Sequence, residues 1–525
     1  MKEGAASSLS DLPAFFNIAV ACCDRWVEGG HGNRPAIHDG DEVLSYLDLQ
    51  ARVNRLADGL RSLGLDPGQR YLIRLPSIPD FYAAFLAGLK IGAVAIPTPQ
   101  QLQEKELRHI LNVAHVRVVI TEENLAGPIR LIHRDVPTLE HVVCLGTGNA
   151  DELELSSLGD PDAGLVDAYP TRPDDPAFVL FSSGTTGVPK GIAHAHRGFN
   201  LAVGDPCGKV GMALEPRDVV LQPHDPSWSY SLGCGFLFPL CEGASIVANR
   251  GLVTPDNVLD WVERYRVTIL GAVPTFYRAV LSRQEMEEGP DLSSLRHCTS
   301  AGEPLTTDTY HQWKERVGVD LLDHIGQGES SMFCANTVDR PVVPGSVGKP
   351  LPGYRVSVLD DNGREVIDEI GELAIRADNP ALFYDYLDMP ERWAATHRNG
   401  WYLTGDLARV DSDGNFWYVS RADDLITSRG YMISPKEVED TLVDHPSVLE
   451  AAVVGLPDDR MGQIVTAYVV LQPGYQAGPD LADELVAHTR DQIAPFKAPK
   501  RLEFLPELPK TPTGKILRRD LRGKT

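Results

Sequence analysis

Phe181-Ser-Ser-Gly-Thr-Thr-Gly-Val-Pro-Lys-Gly191 is the stretch on which the reading turns. It continues from Ala177–Phe181, an apolar run of strand length, and gathers three glycines, two serines, two threonines and one lysine into eleven residues. Glycines let backbone N–H groups close on an anion, hydroxyls add donors, and Lys190 adds a positive charge. The loop is not a Walker A sequence, because Gly191 follows Lys190 where a Ser or Thr is needed and the glycine spacing differs. A strand that runs into such a loop points to α/β structure with an anion at the turn, a flexible surface loop being the other reading of the pattern taken alone.

Outward from this loop, strand-like and helix-like segments alternate through roughly the first 340 residues, as α/β periodicity predicts. Tyr71–Leu75, Val118–Thr121 and His141–Leu145 read as strands, and Pro79–Ile91 as a helix. Asp151–Pro176, rich in Asp, Gly and Pro, reads as a surface connection, and a helical run is expected from Arg197. Val219–Leu221, Ser245–Ala248 and Thr268–Ala272 are further strands, the last leading into a helix over Pro274–Ser282. From Pro341 the texture changes. Gly345–Tyr354, Val356–Leu359 and Gly371–Ile375 suggest short antiparallel strands in a small β-barrel or sheet that ends near Ser420. The last hundred residues alternate on their own: helix Pro435–Asp444, strands Leu449–Gly455 and Ile464–Leu471, helix Ala482–Ile493.

With 525 residues the chain has room for three or four folding units. Its formal charge of −24 argues against nucleic acid or an anionic membrane as a partner. No apolar run reaches the roughly 18–20 residues of a membrane span; Tyr82–Pro97 comes nearest and contains Lys90. The N-terminus makes a poor signal peptide, so a cytoplasmic location is expected. Eight cysteines, none in a C-x-x-C pair, argue against a disulfide framework or structural zinc. Residues 490–525 hold ten Lys/Arg and four Asp/Glu, a basic end suited either to solvent or to closing over a polyphosphate.

Further motifs follow the glycine-rich loop in order: Ser300-Ala-Gly-Glu-Pro-Leu305, Asp323-His-Ile-Gly-Gln-Gly-Glu329, Tyr402-Leu-Thr-Gly-Asp406, Arg421-Ala-Asp-Asp-Leu-Ile426 with Gly430-Tyr431, and Pro509-Lys-Thr-Pro-Thr-Gly-Lys-Ile-Leu-Arg-Arg519. Together they resemble the signatures of the adenylate-forming superfamily over nearly the whole chain. That resemblance implies a large N-terminal adenylation domain, residues 1–420, of stacked α/β subdomains with residues 341–420 as its β-rich part. It also implies a hinge at 421–424 centred on Asp423, and a small mobile α+β C-terminal domain over 425–525.

The implied chemistry joins a small-molecule carboxylic acid to ATP as an acyl-adenylate, then transfers the acyl group to a thiol. Ser182, Ser183, Gly184, Thr185, Thr186, Gly187 and Lys190 would hold phosphate. Gly302, Glu303 and Pro304 would face adenine, and the segment of Asp323, His324, Ile325, Gly326, Gln327 and Gly328 would hold AMP. Glu329 would hold Mg²⁺, a hard ion that prefers oxygen ligands. Asp406 and Arg421 would sit at the ribose, and Lys515 would bridge carboxylate and α-phosphate. Gly430 and Tyr431 fall on the pantetheine side.

Within the superfamily the closest resemblance is to benzoate- and 2-aminobenzoate-CoA ligases, carried by Glu104-Lys-Glu-Leu107, Leu295–Pro304 and Gly345–Tyr354. Trp228 and Tyr230 would then wall an aryl pocket with Ala301, although either aromatic also reads as core. Asp225 and Gln327 could pair with a polar ring substituent, and Asp225 reads equally as a turn residue before Pro226. Coenzyme A is the expected thiol, with an acyl carrier protein as the alternative. A medium-chain acyl-CoA synthetase and a nucleotide-binding protein without turnover are the other readings. One departure stands out. Gly328 occupies a position where the superfamily usually has Thr, whose hydroxyl donates to the AMP phosphate.

Overall fold

The computed structural model describes residues 12–160, 164–183, 189–283, 289–428, 431–458, 460–510 and 516–523. Two large sheets dominate it. The first has eight strands among the described residues, with Val94–Pro97, Arg70–Arg74, Val118–Glu122 and His141–Leu145 parallel at its centre. At one side Pro176–Ser183 joins it and folds back as an antiparallel hairpin on Pro189–Ala195, pairing Ser182 with Lys190. Residues 184–188, which hold Gly184, Thr185, Thr186 and Gly187, lie outside the described residues.

Among the described residues the second sheet has nine strands, with Ser245–Val247, Val219–Leu221, Ile269–Ala272, His297–Ser300 and Leu321–Gln327 running parallel in that spatial order. Parallel strands buried on both faces need apolar sequence throughout, as in Ile269–Ala272, where every residue is buried. Their carboxyl ends open on one edge, where α/β sheets bind ligands. Between the layers runs the helix Pro79–Lys90, buried at every residue but Asp80. Phe85 on that helix touches Phe178 of the first sheet and Phe236 beneath the second, at centroid distances of 6.0 and 5.5 Å. Lys90, the charge inside the apolar run, is neutralised by Asp24 at 2.9 Å and hydrogen-bonded to Asn54 at 2.7 Å. A buried ammonium survives only with such partners.

The β-rich section takes the form of an open five-stranded antiparallel sheet rather than a closed barrel. Val356–Leu359, Ile370–Arg376 and Trp401–Val410 pair in series, and His397–Arg398 and Phe416–Arg421 both pair with Trp401–Val410. Of Gly345–Tyr354, expected as strand, only Lys349–Pro350 pairs, since Gly345, Gly348 and Gly353 all hold positive φ. The helix expected from Arg197 is a short 3₁₀ segment, Gly198–Val203, broken by left-handed Phe199 and Asn200. A last five-stranded sheet, built on the pairing of Val448–Asp458 with Gly462–Leu471, carries the helices Pro435–Val443 and Pro479–Gln492. No helix among the described residues is long and apolar enough to cross a membrane.

Candidate functional site

The hairpin of the first sheet and the strand ends of the second meet at Lys190 and Glu329. Lys190 Nζ donates to Glu329 Oε1 at 2.6 Å, the Tyr386 hydroxyl donates to the same oxygen at 2.8 Å, and the ammonium lies 5.2 Å from the Tyr386 ring centre. Burial works to raise the Glu329 carboxyl, but Lys190 and the two hydrogen bonds outweigh it and hold it below the usual range. An ionised, enclosed carboxylate suits a hard cation, so the residues fit Mg²⁺. Ser182, the register partner of Lys190, has a buried hydroxyl with no partner among the described residues.

A second charged pair lies beyond Gln327. Arg421 Nη1 donates to Asp406 Oδ1 at 3.0 Å, and the two residues face each other in the register of their strands. The Gln327 amide donates to Asp406 Oδ2 and, at 3.0 Å, to the Thr404 carbonyl, while its oxygen accepts from the Tyr402 hydroxyl at 3.2 Å. These bonds engage Gln327 on the Asp406 side, so its amide is committed away from a ring substituent. Behind the segment His194 donates from Nε2 to the Gly328 carbonyl at 2.7 Å, its ring stacked 4.7 Å from Phe178. Burial lowers His194 to about 4, so the ring is neutral at pH 7. Sequence reasoning missed His194, whose partner lies 134 residues away.

Along the adenine-side loop, Gly302 has φ of +87° and a Cβ there would come within 3.0 Å of the Trp228 ring. Glu303 accepts from the Thr275 N–H at 3.1 Å and lies 3.6 Å from Arg278, tying the loop to the start of the helix Pro274–Leu281. Ala301 is buried and Pro304 half-buried. Asp323 is buried beneath, where burial pushes its carboxyl up to about 8 against smaller pulls from Ser300 and Lys436. Ile325 and Gly326 continue the strand into the Glu329 turn.

Trp228 and Tyr230 do stand together, edge to face at 5.3 Å. Asp225, by contrast, is a turn residue: Oδ1 accepts from the Ser227 N–H at 2.9 Å and hydroxyl at 2.6 Å, and Oδ2 faces Gln100 at 3.4 Å. These bonds support the turn reading of the two that the sequence offered for Asp225. His324 was expected on the AMP side, yet its ring lies edge-on to Tyr230 at 5.2 Å. The strand alternation that sends Asp323 one way sends His324 the other.

Farther out, exposed Asp423 receives Arg421 Nε at 3.4 Å, and Asp424 beside it is held by Arg518 and Arg522 at 3.4 and 2.7 Å. Tyr431 is exposed and stacks on Phe496 at 4.4 Å. Gly430 and Lys515 lie outside the described residues, although Lys510 and Ile516, which bracket the Lys515 loop, pair as an antiparallel bridge.

Comparison with known proteins identifies the family. The family model described as AMP-binding enzyme matches residues 23–386, and that of the AMP-binding enzyme C-terminal domain matches 437–515. Benzoate–CoA ligase of Thauera aromatica is 37% identical over 98% of this chain and 97% of its own length. The mitochondrial acyl-coenzyme A synthetase ACSM3 of Rattus norvegicus is 33% identical over 98% of this chain and 91% of its own. Among solved structures, the anthranilate CoA ligase AuaEII in complex with anthranoyl-AMP superposes with a TM-score of 0.92, at 32% identity over 98% of both chains.

Proposed function

Since the chain belongs to the AMP-binding enzyme family, as an ATP-dependent acyl- or aryl-CoA ligase, we propose that its acid is a substituted benzoate. The observation that carries this reading is the pair Trp228–Tyr230 set at the carboxyl ends of the parallel strands, beside the charged wall that runs from Lys190 through Glu329 and Gln327 to Asp406. Flat apolar faces favour a ring over a flexible chain.

In the first half-reaction a carboxylate oxygen attacks the α-phosphorus of ATP and pyrophosphate leaves, so two anions must approach one another. Lys190, with the Ser182–Gly187 loop, neutralises phosphate oxygens, and Lys515 bridges the incoming carboxylate and the α-phosphate. Glu329 would hold Mg²⁺, which when bound would offset triphosphate charge. Asp406, its plane set by Gln327 and Arg421, accepts from the ribose hydroxyls. In the second half-reaction the CoA thiol attacks the acyl carbon and AMP leaves. A turn about Asp423 would withdraw the Lys515 segment and bring Tyr431 toward the pantetheine arm. The buried free cysteines support a cytoplasmic setting.

Pyrophosphate release across benzoates, aminobenzoates, β-amino acids and straight-chain acids tests the reading, with CoA or a carrier protein then supplied as thiol. Benzoates should lead in kcat/KM and CoA should be the better acceptor. A lead by hexanoate would transfer the assignment to the medium-chain class.

A further inference from the structure

Three strands of the second sheet bring polar groups to one face beneath Tyr230. Leu221 pairs with Leu270, Gly271 with Thr299, and Thr299 with Leu322. That register puts Gln222, Gly271 and Thr299 in one row and His324, two residues past Leu322, on the same face. A side chain at Gly271 would meet Thr299 Oγ1 at 3.0 Å and Gln222 Nε2 and Tyr230 Oη each at 3.2 Å, so three polar atoms surround one point. Tyr230 and Thr299 share a hydrogen bond of 3.0 Å.

Gln222 and His324 are different. Gln222 is only 6% exposed, and neither its amide nitrogen nor its oxygen has a partner among the described residues. His324 is 4% exposed and its Nε2 has none either. Burial drives His324 down to about 3, so the ring is neutral, and its buried Nε2 is free to bond a ligand. A buried amide without partners is costly, and such groups call for an explanation.

We propose that Gln222 and His324 are specificity-determining residues that read a hydrogen-bonding substituent, an amino or hydroxyl group, on the ring of the acid. The substituent's N–H or O–H donates to His324 Nε2, and the Gln222 amide takes a second bond. This rests on the aryl reading above and names the residues that select within it. A site built to hydrogen-bond a substituent rejects the isostere that lacks the polar group, because its own buried atoms are then left unpaired.

The test measures pyrophosphate release by the full chain with each hydroxy- and aminobenzoate beside the methylbenzoate of the same ring position. At one ring position the polar acid should exceed its methyl counterpart by at least about tenfold in kcat/KM. His324→Phe and Gln222→Met should each reduce that ratio by about tenfold. General damage to the fold lowers both acids together and leaves the ratio alone, so the ratio separates recognition from structure. Polar and methyl acids that perform alike in the wild type overturn the proposal even if neither variant folds. An unchanged ratio in both active variants overturns it too. A different failure, in which straight-chain acids are activated and no benzoate is, removes the aryl reading itself.

Discussion

The nucleotide side and the acyl side of the site are furnished on opposite principles. Toward ATP, the named charges come in pairs: Lys190 with Glu329, Arg421 with Asp406. Toward the acid, the distinctive groups are neutral and unpartnered: the Gln222 amide and His324 Nε2. An enclosed charge without a partner costs several kcal/mol, so charges must satisfy one another before any ligand arrives. A neutral orphan costs less and can wait for its ligand. Charge is thus stored in pairs where the chemistry is fixed, and, the Ser182 hydroxyl apart, the uncommitted neutral groups named above lie where selection is made.

The strongest way to break this contrast is to remove one member of a pair. Lys190→Ala leaves the Glu329 carboxylate enclosed without its cation, and Glu329→Gln leaves the ammonium. Each should lower adenylation, read as pyrophosphate release, by about 10²–10³-fold. The loss should be equal for every acid, because the pair faces phosphate and not the ring. A loss that depends strongly on the acid would erase the division between the two sides.

Acid sharpens the comparison next. His194, His224 and His297 are lowered to about 4, and His196 and His324 to about 3, in each case chiefly by burial. Between pH 6.5 and about 4 the unfolded chain binds protons at these positions and the folded chain does not, so stability falls as pH falls. Asp323, raised to about 8, works the other way: its contribution is full below the unfolded carboxyl value and is lost as pH rises through 8. The carboxyls of Asp205, Asp225, Glu242, Glu372 and Asp444 are raised by burial as well, so the two sets oppose each other and the test lies in the difference a single variant makes. His324→Phe should therefore gain unfolding free energy relative to wild type by about 1.4 kcal/mol per pH unit as pH falls from 6.5 to 4.5. A variant whose stability keeps a constant offset from wild type across that range would contradict a buried neutral His324.

A smaller effect is expected at Asp225, which stands on the acyl side without reading the acid. Asp225→Ala removes the acceptor of Ser227 and Gln100, at a cost of about 1–2 kcal/mol. Its effect should be a few-fold loss shared by amino-, hydroxy-, methyl- and unsubstituted benzoates. Selective loss of the amino acids alone would return Asp225 to the substituent.

What could be read in the sequence follows the same divide. Strands His141–Leu145, Val219–Leu221 and Val356–Leu359 occur where the apolar runs placed them. The charged residues were legible because their motifs are local and their chemistry is limited to a few residue types. Gln222 was not, although it directly follows an expected strand. Its importance arises from register with Gly271 and Thr299, which sequence cannot supply. Gln327 was read toward the acid because its partner Asp406 is 79 residues distant. The turn reading of Asp225 was open to the sequence, because Asp-Pro-Ser is a turn sequence and its acceptor bond to Ser227 is two residues long.

The smallest effect belongs to Gly328, where the two sides meet. Its φ is not left-handed, so a side chain meets no backbone objection there, and an added Cβ would approach only Ile192 Cδ1, at 2.9 Å. That atom is the free end of a flexible side chain and can turn away. The Gly328 carbonyl is fixed from behind by His194, so the backbone should keep its course when Thr is introduced. Gly328→Thr supplies a hydroxyl beside Glu329, on the side where charge gathers, and one more donor there is worth about 1 kcal/mol at most. Pyrophosphate release should therefore stay within about fivefold of wild type, with any change an increase and the ranking of acids untouched. Should the variant lose activity sharply while Tm holds, the missing side chain is making room for the acid, and the boundary between paired charge and unpaired polarity would have to be drawn on the other side of Gly328.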